Sequence, residues 1–120
     1  MTSVLTKLIS EISTVCTIGS DWVSDNTTFP YSCYAYNAAS TEQRGDMTFT
    51  LDVWDRNTSV APIESICAQI RQKLDRQIFK DNEKFVWCYL DTQGSIRDED
   101  PQIKRRRLMF IIHDYAIGGN

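Results

Sequence analysis

Met47-Thr48-Phe49-Thr50-Leu51-Asp52-Val53-Trp54 decides how this chain is read. Met47, Phe49, Leu51 and Val53 fall on one side of an extended chain; Thr48, Thr50, Asp52 and Trp54 fall on the other. Strict alternation of this kind is the signature of a β-strand with one buried face. Upstream, Pro30 to Tyr36 is rich in Tyr and contains Cys33, which suits a pleated, half-buried surface. The polar stretch from Asn37 to Asp46, with Gly45 inside it, reads as the loop of a hairpin joining these two strands.

Helical periodicity flanks the hairpin. Val4, Leu5, Leu8, Ile9, Ile12 and Cys16 recur at helical spacing, with Thr2 or Ser3 as cap and Gly19 as stop, which predicts a first helix over about 3–15. The stretch from Gly19 to Pro30 holds turn formers around Trp22 and Val23 and reads as a loop or a very short strand. After a turn at Asp55 to Thr58, Val60, Ile63, Ile66, Cys67, Ile70 and Leu74 form a second apolar stripe. Ser59 is the expected cap and Pro62 fits the first turn, so a second helix is predicted over about 60–77. Lys80 to Lys84 reads as a charged turn. Phe85 to Thr92 reads as a strand, Gly94 to Pro101 as a charged loop, and Ile103 to Ile117 as a long last strand.

The expected fold is α+β: about four antiparallel strands with two helices on one face, in a single domain over 1–120. Phe85 to Leu90 and Leu108 to Ile112 are apolar on both faces, yet two helices cover only one side of a sheet. An uncovered apolar sheet face points to a partner surface, and so to an oligomer or an assembly component.

Composition narrows the function. The chain has 120 residues, is 42% hydrophobic, and contains 5 Gly and 3 Pro, which suits one packed domain and excludes a low-complexity chain. No apolar run approaches the roughly 18 residues that a membrane helix needs. The net charge of -3 argues against a protein built to coat nucleic acid. Lys7 and Glu11 interrupt the apolar stretch a signal peptide requires, so four free thiols in a reducing compartment are expected. Cys16, Cys33, Cys67 and Cys88 contain no C-x-x-C pair, and Asp91 with Asp98, Glu99 and Asp100 lacks the spacing of a calcium loop. No metal, cofactor or catalytic site is expected. The single histidine, His113, is followed by Asp114, which a strand points to the opposite face. A Cys–His hydrolase therefore has little support.

Charged and aromatic residues supply the candidate contacts. In a strand, Arg105 and Arg107 point one way and Lys104 and Arg106 the other, so the four cannot form one nucleic-acid patch. Two alternatives remain: a solvated strand start, or pairing of Arg105 and Arg107 with the acidic loop Asp98, Glu99 and Asp100 of a neighbouring subunit. Of the three tryptophans, Trp54 lies on the polar face of its strand and is the best candidate for a contact surface, with cover for the sheet edge or the start of the second helix as the equal alternative.

Taken together, these residues resemble a family. A Pro30-Tyr31 strand opener, the Met47 to Asp55 strand, the helix with Val60, Ile63, Ile66, Ile70 and Leu74, the acidic loop at 98–100 and the basic-then-apolar strand from Arg105 to Ile112 are similar to the tail terminator, or tail-completion, proteins of long-tailed bacteriophages. The resemblance spans roughly Phe29 to Tyr115. It implies a structural virion protein, assembled in the host cytoplasm, that forms a hexameric ring at the head-proximal end of the tail tube. Such a ring stops tube polymerisation and meets a neck or head-completion protein. DNA passes through its channel without specific binding. Another neck component, such as a head-completion or stopper protein, fits the same residues, as does, less well, a small nucleic-acid-binding module.

Overall fold

The computed structural model describes residues 2–20, 28–40, 44–80 and 84–116. The elements in chain order are α1 (Thr2–Ser13), β1 (Thr17–Ser20), β2 (Tyr31–Ser40), β3 (Arg44–Arg56), α2 (Ala61–Leu74), β4 (Gln77–Lys80), β5 (Lys84–Ile96) and β6 (Ile103–Ala116). The strands form one sheet in the order β1-β2-β3-β6-β5-β4. β1 runs parallel to β2; every other pair is antiparallel.

The α+β class and both helices agree with the sequence reading, but the sheet is larger. Six strands replace the expected four, and the sheet is mixed rather than wholly antiparallel. The two additions are four-residue edge strands, too short for an alternating pattern to register. Thr17–Ser20 offers Ile18 alone as a core residue, and Gln77–Lys80 lies where the second helix was expected to end. That helix stops at Leu74, and Arg76 takes a left-handed backbone (φ 56°) that turns the chain into β4. α1 ends at Ser13, close to the expected end near residue 15, and Gly19, expected as a stop, lies within β1. The Ser13 and Thr14 hydroxyls donate to the carbonyls of Ser10 and Glu11, closing the last turn.

Both expected loops are shorter than their composition suggested. Backbone pairing of β2 with β3 continues to Ser40↔Gly45, so the hairpin connection shrinks to 41–43, outside the described residues. β5 continues to Ile96 opposite Arg105. Polar side chains do not prevent a ladder held by backbone hydrogen bonds, and a hairpin extending into solvent has the composition of a loop. The Trp22-Val23 stretch also lies outside the described residues. The long strands give an elongated subunit, 54 × 25 × 22 Å.

One side of the sheet carries the core. Met47, Phe49, Leu51 and Val53 of β3 are buried, as their alternation required. They stand opposite Ile112, Phe110, Leu108 and Arg106 of β6. Val4, Leu8, Ile12 and Cys16 from the α1 region and Ile63, Cys67, Ile70 and Leu74 from α2 pack onto them in a single cluster. Ser59 caps α2 from one residue further out than expected. Val60 is the N-cap residue, and the Ser59 hydroxyl accepts the N–H of Ala61 at 3.1 Å. The opposite face of the sheet has no helix on it among the described residues.

Candidate assembly surface

The helix-free face is built by the alternate residues of the same strands. Along β3 these are Asp46, Thr48, Thr50, Asp52 and Trp54; along β6 they are Arg105, Arg107, Met109, Ile111, His113 and Tyr115. β5 adds Phe85, Trp87 and Tyr89, and β4 adds Ile78. Charge gathers at one end of this face and aromatic surface at the other.

At the charged end, strand pairing sets Asp52 directly opposite Arg107. Arg107 grips the carboxylate with two donors, Nε to Oδ1 at 2.8 Å and Nη2 to Oδ2 at 3.0 Å. Arg105 donates from Nη2 to Oδ2 at 2.8 Å. Burial of Asp52 favours its neutral acid, but the guanidinium hydrogen bonds of Arg107 and Arg105 outweigh that and hold the carboxyl below its ordinary value. The Arg105 guanidinium also lies 4.7 Å from the Trp54 ring, a cation–π contact. Trp54 stacks on Tyr31 at 5.3 Å, and Tyr31 meets Phe29 at 5.0 Å. Two cations thus share one anion beside an aromatic row, leaving a net positive charge.

The structure resolves the basic run as alternation required. Arg105 and Arg107 meet on the helix-free face, whereas Arg106 turns to α2 and binds Glu64 through Nε at 2.6 Å. Asp98, Glu99 and Asp100 sit at the β5–β6 tip beside the same end of the sheet. Their side chains are partly engaged already. Asp98 accepts the N–H of Asp100 at 3.0 Å, and Asp100 accepts the N–H of Gln102 at 2.9 Å and pairs with Arg56 at 3.2 Å. Asp98, Glu99, Pro101, Lys104 and Arg105 contribute to the lining of a cleft of about 860 Å³. Of the six residues singled out from the sequence, all lie at this end. The partner that organises two of them, Asp52, was missed. Its signal was present: it shares the exposed face of its strand with Trp54.

The aromatic end was also missed as a unit, because its members come from three strands. Trp87 meets Tyr89 at 4.9 Å and His113 at 6.1 Å, and His113 meets Tyr115 at 6.3 Å. Ile78, 57% exposed, and Trp87, 41% exposed, leave this end open to solvent. His113 pairs through Nδ1 with Asp46 Oδ1 at 2.7 Å, the residue opposite it on β3 rather than its neighbour Asp114.

Nothing among the described residues assembles a nucleophile or a metal site. All four cysteines are free and buried. Burial pushes the Cys67 thiol up to about 11 and the Cys88 thiol up to about 12. Both point to the helix side of the sheet, away from His113. No group of three or more His, Cys, Asp or Glu side chains is arranged to hold a metal ion among the described residues.

Comparison with known proteins fits a surface made for contact. No curated protein matches the sequence. A chain from the virion of a native gene transfer agent particle superposes with a TM-score of 0.67 at 15% identity, covering 90% of this chain and 84% of that one. At that identity the likeness is one of fold. The family model of tail completion protein gp17 matches residues 3–113, nearly the whole sequence. The chain therefore belongs to the tail completion protein gp17 family and is a structural protein of the phage tail.

Proposed function

We propose that this protein forms a closed ring, hexameric as the family resemblance implies, on the head-proximal end of the tail tube. There it ends tube polymerisation and offers its other side to a neck or head-completion protein. The observation that carries this reading is the helix-free face, where Trp87 and Ile78 stand exposed beside Tyr89, His113 and Tyr115. An isolated subunit gains nothing from such a surface, whereas a neighbour burying it removes apolar area from water.

Ring closure is head-to-tail, so two different patches on each subunit must fit each other. Trp54, Arg105 and Arg107 with Asp98, Glu99 and Asp100 remain the candidate subunit or tail interface. Asp52 holds both arginines and Asp100 pairs with Arg56, so exposure decides: Arg107, 44% exposed, and the exposed Glu99 have most to offer a neighbour. DNA crosses the channel without being gripped, which suits a net charge of -3 and two arginines tied to an internal carboxylate. Negative-stain imaging of the protein with purified tail tubes, together with sedimentation of the protein alone, tests the reading. Rings capping one tube end, with tube lengths limited, are expected. Monomers in solution and bare tube ends would refute it.

A further inference from the structure

Sheet edges are normally protected against pairing with other chains by charge, Pro, bulges or short length. Three of the edge segments here follow that rule. β1 and β4 are four residues long, and β4 ends in Lys80. Near its middle, β5 carries a bulge at Leu90/Thr92, an exposed Asp91, and a Leu90 N–H taken by the Asp75 carboxylate at 2.7 Å. Two further segments depart from it. β1 covers only Tyr31–Tyr34 of β2, so among the described residues no strand lies outside Ala35-Tyr36-Asn37-Ala38-Ala39-Ser40. This run has no charge and no Pro, and residues 35–39 are exposed. β4 covers only Phe85–Cys88 of β5, so beyond the bulge Thr92-Gln93-Gly94-Ser95-Ile96 is likewise uncharged and without an outer strand among the described residues.

Gly94 supplies an independent sign. A Cβ at this position meets nothing within 4 Å, and its φ lies outside the left-handed region, so neither packing nor backbone conformation within the chain calls for glycine. Glycine inside a strand weakens it, and it is found where another backbone comes close.

We infer that the outer edge of β2 at Ala35–Ser40 in one subunit pairs with the outer edge of β5 at Thr92–Ile96 in the next, continuing the sheet from copy to copy. The inference rests on the ring reading above and names the contact that closes it. The two edges lie on opposite sides of the same four central strands, as a head-to-tail contact requires. β2 and β5 run in opposite directions within the sheet, so copies placed side by side in the same orientation meet as an antiparallel pair.

The stagger is also that of a closed sheet. Asn37 is level with Ile111 of β6 through Thr48, and Gly94 is level with Arg107. Asn37 and Gly94 lie on the same, helix-free face, as directly opposed residues of one sheet must; pairing them across copies shifts each subunit by four positions of β6, about 14 Å along the strands. The four strands β2, β3, β6 and β5 span about 19 Å across. A shift of about 14 Å over about 19 Å tilts the strands by about 36°, inside the 35–45° typical of closed barrels.

Two variants of the full chain test the contact. Gly94→Val adds a side chain where the subunit has open space, so its unfolding midpoint should match or exceed that of the wild type. Its self-association, read by sedimentation against concentration, should be about tenfold weaker because the added side chain crowds the incoming backbone. Gly94→Cys combined in one chain with Cys at Asn37 or Ala39, which share its face, should give, on mild oxidation, a ladder of disulfide-linked subunits extending to the full ring, and Cys at Ala38, on the other face, should give little. Antiparallel neighbours are close enough to bridge. Wild-type protein, with its four buried thiols, should give no ladder. Rings that form without cross-links at either Asn37 or Ala39, or a Gly94→Val variant that assembles as tightly as wild type, would overturn the edge pairing and leave the ring standing. Wild-type protein that never assembles, alone or on tubes, would remove both.

Discussion

Asp52→Asn tests the charged end of the assembly surface from within a single subunit. The substitution keeps the shape of the side chain and removes the anion that Arg105 and Arg107 share. A hydrogen bond to a charged group contributes about 1.5–3 kcal/mol when shielded from water. Arg107 is 44% exposed, and screening brings its share down to the range of surface pairs, below about 1 kcal/mol. Arg105, 26% exposed, is less screened by water and carries more. The expected loss is about 2 kcal/mol at neutral pH and low salt. For a domain of this size that lowers the thermal midpoint by about 6–10 °C.

The pH dependence follows from the direction of the shift. The Asp52 carboxyl titrates below its usual 3.8 when folded, so the native state holds the ionised form more strongly than the unfolded chain does. Its contribution is complete above about pH 5 and declines as pH falls through the folded-state value. Urea unfolding of wild type and Asp52→Asn, followed by near-ultraviolet circular dichroism, should show a constant gap between pH 5 and 7. Below about pH 4 that gap should close. A gap under about 0.5 kcal/mol at pH 7, or one unchanged at low pH, would refute the argument that Asp52 anchors this end of the face.

Other outcomes follow from the core and its connections. Phe110→Ala empties a fully buried position opposite Phe49 and should cost about 3–5 kcal/mol in urea unfolding. Asp75→Ala frees the Leu90 N–H at the β5 bulge; a loss of about 1–2 kcal/mol and faster hydrogen exchange at that amide are expected. At pH 8 the buried Cys67 and Cys88 thiols, with values near 11 and 12, should react with a thiol reagent only as fast as the protein unfolds. Rapid labelling of either in the native protein would contradict their placement.

The central strands and both helices were legible because their signals are local. Alternation from Met47 to Trp54 and helical recurrence in Val4, Leu8 and Ile12 or Ile63, Cys67 and Ile70 arise from one face meeting a core, and each is visible within a dozen residues. The split of Arg105 and Arg107 from Arg106 was legible for the same reason. β1 and β4 were not, since four residues at an edge bury too little to leave a pattern. Nor was the length of the hairpins, because exposed ladder and exposed loop select the same polar side chains.

Local periodicity alone determined that this chain makes an α+β domain with more apolar sheet than two helices can cover. Which residues meet on the uncovered side was decided only by the tertiary structure. Asp52 reaches Arg105 and Arg107 across 53 and 55 positions of sequence, and His113 reaches Asp46 across 67. Strand order and register set those encounters, and both follow from backbone pairing, which every residue but proline offers alike.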